Sequence, residues 1–316
     1  MKKPGSKDSG KAFEFALINE AFRILSINFS VNLVKDATYQ STQKSFLIFP
    51  QKTQQKYIDA AIAAINHIIH LEPKITSTKS NGDILTLQLM PDSAGQAGDV
   101  RDILFIRSNQ NWEVGISAKN NHKAVKHSRL SDKNDFGDTW LGINCSRNYF
   151  SAIDHVFKNL RLLKSQNRTW PSVPNKASTV YMPVLNAFRD ELNQINDSNP
   201  NIPEKLVSYL LGNLDFYKVI KKRTAVEIHG FNMHGTLSKA AQSGHKSLVH
   251  KLKLPKQIID FDYKPGSKDT LLLYCDQGWQ ISFRIHSAAT LVEPSLKFDI
   301  NLVGQPNSLY SNHIPY

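Results

Sequence analysis

Apolar positions in this chain recur at two periods, and the period changes along its length. From about Lys11 to Ile27, Phe13, Leu17, Ala21, Ile24 and Leu25 follow a 3.6-residue repeat, which predicts a helix. A second helix is predicted from about Thr53 to His70, with Ile58, Ile62, Ile65 and Ile69 as its stripe and Pro73 marking its end. After the turn signal Asn81-Gly82 the period drops to two, and Leu85, Leu87 and Leu89 share one face of a strand within Ile84–Met90. Asp102–Arg107 and Trp112–Lys119, joined by the polar turn Ser108-Asn109-Gln110-Asn111, complete a three-strand meander. Helical spacing returns at Ser146–Lys164, where Tyr149, Phe150, Ile153, Phe157 and Leu160 recur. The order is α-β-β-β-α, with the Asp102–Lys119 hairpin in the middle of the sheet.

Ser178–Val184 reads as an added strand, and Asn186–Ile195 and Pro203–Leu211 read as helices, the last closed by Gly212. Beyond the basic run Lys221-Lys222-Arg223 the chain alternates like strands at Ala225–Phe231, Ile258–Tyr263, Thr270–Tyr274, Gln280–His286 and Lys297–Val303. Ser238–Lys246 reads as a mobile polar loop. No internal repeat is visible. The expected fold class is mixed α/β (α+β), with a core over residues 1–220 and a β-rich region over 221–316.

Composition narrows this. At 316 residues the chain is long enough for one large domain or two ordinary ones. Its net charge of +12 suits a polyanionic partner, although a basic surface with no such role has the same composition. The two cysteines, Cys145 and Cys275, are too few for a metal cluster, and no disulfide framework is expected, so a reducing cytoplasm is the expected compartment. The N-terminal MKKPGSKDSGK is basic but is followed by no apolar run of signal-peptide length. The apolar stretches are amphipathic rather than continuous, so no membrane span is expected.

The candidate chemistry lies in the hairpin. Counting back through its turn sets Asp102 opposite Ser117, one step from Lys119. A carboxylate and an ammonium at one end of a sheet is the layout of metal-dependent phosphodiesterases of the PD-(D/E)XK type. Asp102 suits Mg²⁺, a hard ion that prefers oxygen, and the Ala118 carbonyl would be a further ligand. Lys119 can orient and deprotonate water or stabilise charge on a phosphate. An ordinary surface ion pair is the plainer reading of an Asp and a Lys so placed.

The acid usually found two residues before the lysine is absent, because that position is Ser117. Glu113 shares its strand face but lies roughly 13 Å away along the strand, too far for the same ion, and reads as structural. Glu14, in Gly10-Lys11-Ala12-Phe13-Glu14, is the better candidate for the second carboxylate, with a solvated helix face as the alternative. Asp99 is a lesser ligand candidate, or a cap at the strand entry. His122, Lys123, Lys126, His127 and Arg129 follow the hairpin in a dense basic run that suits phosphate tracking. The two histidines have no partner ligands at a zinc-binding spacing. A solvated charged face is the competing reading of the whole run.

Several stretches together resemble the HaeIII family of type II restriction endonucleases: GKAFEF, GDVRDI, the run E-x-G-I-S-x-K-x-N-H, and KHSRLS with DFG and W-x-G behind it. YLLGNLDFYKVI at Tyr209–Ile220, SFRIH and SLKFDI extend the resemblance over nearly the whole chain. It implies a PD-(D/E)XK nuclease core and a Mg²⁺-dependent double-strand cut within the palindrome GGCC. It also implies pairing with a DNA methyltransferase. A palindrome read symmetrically suggests a homodimer on double-stranded DNA. Reading G·C pairs in the major groove calls for arginine, and Arg129 and Arg284, with His286 behind them, are the candidates. Two alternatives stay open: a sequence-specific DNA-binding protein without cleavage, and a nuclease that recognises branched or damaged DNA.

Overall fold

A computed structural model describes residues 4–78, 82–93, 99–121, 124–239, 246–287 and 289–316. They form two compact units from interleaved stretches of chain. The first takes Met1–Lys123, Gly212–Leu252 and Ser308–Tyr316; the second takes Ala124–Leu211 and Lys253–Asn307. A cut near residue 220 would part β6 (Phe216–Lys221) from β7 (Ala225–Phe231), its antiparallel neighbour. The sequence order of elements is therefore not the order in which they pack. The sheets are mixed in the first unit and wholly antiparallel in the second.

In the first unit, helices α1 (Ser6–Leu25), α2 (Ala37–Leu47) and α3 (Gln51–Leu71) accompany a seven-stranded sheet. Its order is β1 (Val31–Leu33), β2 (Leu85–Leu89), β3 (Ile103–Arg107), β4 (Trp112–Asn120), β6, β7 and β12 (Tyr310–Pro315). Phe13, Leu17, Ala21 and Leu25 of α1 are buried as their spacing predicts, and Leu85, Leu87 and Leu89 alternate inward. The stripe of α3 is rotated from the expected one. Ala60, Ala61, Ala64, Ile65 and Ile68 are fully buried, whereas Ile58, Ile62 and Ile69 are only partly so. Small alanines permit close approach to the neighbouring layer, so the tight face need not carry the largest side chains. Three elements had no clear pattern in the sequence: α2, capped by Asp36, and the short or edge strands β1 and β12.

In the second unit the sheet order is β5 (Ala124–Leu130), β11 (Leu296–Gly304), β10 (Gln280–His286), β9 (Thr270–Cys275) and β8 (Ile258–Tyr263). Helices α4 (Arg147–Ser165), α5 (Met182–Ser198) and α6 (Ile202–Leu211) supply the rest, and Gly212 follows α6 at φ +94°. The strand expected at Ser178–Val184 is instead a wide helical turn running into α5. Val180, Val184, Leu185 and Phe188 are buried at helical spacing, which outweighs the local β-branched residues. Phe188 is the hub of the core, with Phe136, Trp140, Phe261, Phe283 and Phe298 around it at ring-centroid distances of 4.8–5.9 Å. Cys145 and Cys275 are buried and free. Asn81 and most of Ser238–Lys246 lie outside the described residues.

Candidate active site

Strands β3 and β4 occupy the centre of the seven-stranded sheet, paired from Arg107↔Trp112 to Ile103↔Ile116. Asn111 closes their turn at φ +45°, a conformation asparagine tolerates well. Beyond Ile103 the Asp102 amide still donates to the Ile116 carbonyl (2.7 Å), and past that bond the Asp102 side chain takes over from the backbone ladder. Asp102 Oδ2 accepts from the Ala118 amide (2.6 Å), the Lys119 ammonium (3.1 Å) and the Ser117 hydroxyl (3.3 Å). The register expected from the sequence thus brings Asp102, Ser117, Ala118 and Lys119 together. Ser117 acts as a donor to the aspartate, which is how a hydroxyl serves there. Within an extended strand the N–H and C=O of a residue point to the same edge, so the Ala118 carbonyl is directed to the edge where Asp102 sits. Lys119 and Asp102 retain 30% and 26% side-chain exposure, open enough for a substrate.

Glu14, on α1, lies within electrostatic reach of this pair. Burial pushes its carboxyl up to about 8, and the Asp102 charge adds to the rise, while Lys119 and Lys11 oppose it. Two carboxyls that cannot comfortably ionise together would be relieved by a cation between them. The donors are all oxygen, which fits a hard divalent ion that keeps several waters. Among the described residues no group of three or more His, Cys, Asp or Glu is placed to hold a metal. A metal here would rest on Asp102, Glu14 and the Ala118 carbonyl, with water completing its shell.

Asp99 is engaged elsewhere. Its two oxygens accept from Arg101 Nε and Nη2, both at 2.8 Å, and Arg101 Nη1 reaches Glu113 at 2.6 Å. Arg101 is 7% exposed and crosses β4 over Gly115. The structure therefore turns Asp99 and Glu113 towards Arg101, and the lesser ligand role considered for Asp99 has no geometric support. Arg101 itself was not recognisable as an organiser from the sequence; the signal available was the glycine in E-x-G-I-S-x-K.

In the second unit, strand alternation divides the basic run. Lys126 pairs with Ile300 on the inner face, where its ammonium donates to the Tyr209 carbonyl (2.7 Å) and stands 3.4 Å above the Tyr209 ring. Burial brings its pKa down to about 8. This lysine is turned into the protein, so the phosphate-contact role expected for it has no support. Arg129, Lys297 and His286 form one row across β5, β11 and β10, and His127, Asp299 and Arg284 form the row beside it. Arg129 is 46% and Arg284 58% exposed, with Glu293 at 3.4 Å and Asp269 at 3.6 Å as partners. His286 Nε2 lies 3.0 Å from Asp299. Lys297 is a member of this face that sequence reasoning overlooked. His122 and Lys123 lie outside the described residues, as does the side chain of His127.

The model of the HaeIII restriction endonuclease family matches residues 10–306. The chain is 43% identical over 315 residues to the type II restriction enzyme HaeIII of Haemophilus aegyptius, covering 98% of each. It belongs to the HaeIII restriction endonuclease family. No solved structure matches it significantly. The chain is thus a type II restriction enzyme, a DNA endonuclease. The strands that carry its Asp102–Lys119 pair fall within the matched region. No described helix of this endonuclease is long and apolar enough to cross a membrane.

Proposed function

We propose that this endonuclease is a PD-(D/E)XK enzyme that cuts both strands of DNA within GGCC, with Mg²⁺ held by Asp102, Glu14 and the Ala118 carbonyl. The observation that carries the reading is the Asp102–Lys119 pair, 3.1 Å apart in mid-sheet, with the Glu14 carboxyl within electrostatic reach. Asp102 is held in place by the Ala118 amide and the Ser117 hydroxyl. Bound Mg²⁺ would place positive charge on the scissile phosphate and make an attached water more acidic. Lys119 orients the attacking water and neutralises charge as the water oxygen bonds to phosphorus and the P–O3′ bond breaks. Glu14 supplies the carboxylate that Ser117 does not.

The exposed face of the antiparallel sheet, with Arg129, Arg284, His286 and Lys297, is the surface we assign to DNA contact, Arg129 and Arg284 reading guanine. A palindromic target is read by two copies related by a twofold axis, so the active form on DNA is a homodimer. A cytoplasmic place beside a methyltransferase that protects the host's own GGCC sites completes the reading.

Digestion of a linear duplex with Mg²⁺, followed by sequencing of the fragment ends, tests it. Ends falling within GGCC on both strands support the assignment. Binding without cutting, ends at another sequence, or ends only at branches or lesions would replace it.

A further inference from the structure

Strands β4 and β6 run parallel and end together, so Lys119 is level with Ile220, and Asn120 with Lys221. Lys221 shares a face with Tyr217 and Val219, the face packed against α1 and α3. It is only 8% exposed. Its Nζ lies 5.3 Å from the centroid of the Tyr57 ring and 5.7 Å from that of Tyr316, and donates to the Lys222 carbonyl at 3.3 Å. Among the described residues no carboxylate is ion-paired with it. Neighbouring Lys222, in contrast, is paired with Glu227 at 3.3 Å.

A buried ammonium without a counter-ion is costly, and here a second cation adds to the cost. Burial lowers the Lys221 pKa, and the charge of Lys56 on α3 lowers it further. Lys56 is exposed and likewise has no ion pair among the described residues. The Asn120 amide completes the group, its Nδ2 lying 3.4 Å from the Tyr57 hydroxyl. Two lysines, an amide and two phenols therefore converge, and Asp59, whose charge acts on Tyr316, is ion-paired with neither lysine among the described residues. An anion would relieve the repulsion between the lysines and replace the missing counter-ion.

We propose that Lys221, Lys56 and Asn120 form a receptor for a non-scissile phosphodiester of DNA, one residue beyond the cleavage pair. The proposal rests on the reading of Asp102 and Lys119 as the reaction centre only for which part of the DNA it receives. The tyrosine walls hold the Lys221 ammonium in place, and Lys56 supplies charge from the solvent side.

The test is binding of the full-length protein, without divalent metal, to a GGCC-containing duplex and to one lacking the site. Lys221→Met and Lys56→Gln should each lower the slope of log K against log salt by about 0.9 on both duplexes. That is roughly a three- to fourfold smaller loss of affinity between about 50 and 200 mM salt. A neutral methylphosphonate walked along the duplex should weaken the wild type at a position where it no longer affects Lys221→Met. An unchanged slope in Lys56→Gln, an exposed change that does not threaten folding, would overturn the proposal. The same methylphosphonate profile in both proteins would do so as well. Cleavage by Lys119→Ala reports on the reaction centre separately, since a variant that still cuts removes that reading and leaves the binding result to decide the receptor.

Discussion

Arg101 lies across Gly115 so closely that a Cβ at that glycine would meet the arginine Cδ at 2.1 Å and its Cβ at 2.9 Å. The guanidinium then joins Asp99 to Glu113 and fixes the chain that leads into Asp102. Gly115→Ala should lift Arg101 off the strand, costing about 1–3 kcal/mol in stability as overpacking does. It should also lower the cleavage rate by displacing Asp102. Urea unfolding and single-turnover cleavage would measure both, and wild-type values would show that Arg101 relaxes without consequence.

Lys119→Ala should abolish cutting and leave binding to cognate DNA nearly intact, because the ammonium serves the reaction more than affinity. Asp102→Ala should do the same and can tighten binding by removing a negative charge facing phosphate. Plasmid digestion with Mg²⁺ and a gel-shift assay without it would separate the two effects. Near wild-type cutting by either variant would move the active site elsewhere.

Glu14→Gln should raise the Mg²⁺ concentration needed for half-maximal cleavage and reduce the maximal rate. Glu113→Gln should change neither greatly, since Glu113 is bonded to Arg101 at 2.6 Å. A Mg²⁺ titration of both variants decides, and the reverse ranking would remove Glu14 from the ligand set.

Glu72 is fully buried, and its Oε1 accepts from the Tyr217 hydroxyl (2.7 Å) and the Ser238 amide (2.6 Å). Burial nevertheless pushes its pKa up to about 7 from 4.5. The folded state therefore holds this proton more tightly than the unfolded state, so stability is lost as pH rises from about 4.5 to 7. The loss is on the order of 3 kcal/mol. Glu72→Gln keeps the acceptor oxygen and removes the titration. Urea midpoints at acid and alkaline pH should differ less in this variant, and an unchanged pH dependence would contradict the assignment.

Arg129→Ala and Arg284→Ala should each cost about 1–3 kcal/mol on cognate DNA and relax discrimination at one base position. Lys126→Met, at an inward-facing lysine, should leave the salt dependence of binding unchanged. Methylation of the target cytosine should block cleavage if the major groove is read. Equal losses on cognate and random duplex would reassign both arginines to phosphate.

Short-range pattern alone determined the parts of this protein that repeat along the chain. The helices near residues 11–27, 53–70 and 146–164, the alternation of Leu85, Leu87 and Leu89, and the hairpin register were legible because each depends on neighbours a few residues apart. That register brought Asp102 to Lys119 without any tertiary information. Long-range packing decided the rest. Strand β6 lies beside β4 although nearly a hundred residues separate them, which is how Lys221 comes to stand next to Asn120. Lys126 and Arg129 look alike in a basic run, but pairing with β11 turns one inward onto Tyr209 and leaves the other exposed. Glu14 and Asp102 share no local pattern, and only the packing of α1 near the end of β4 makes their charges act on one another.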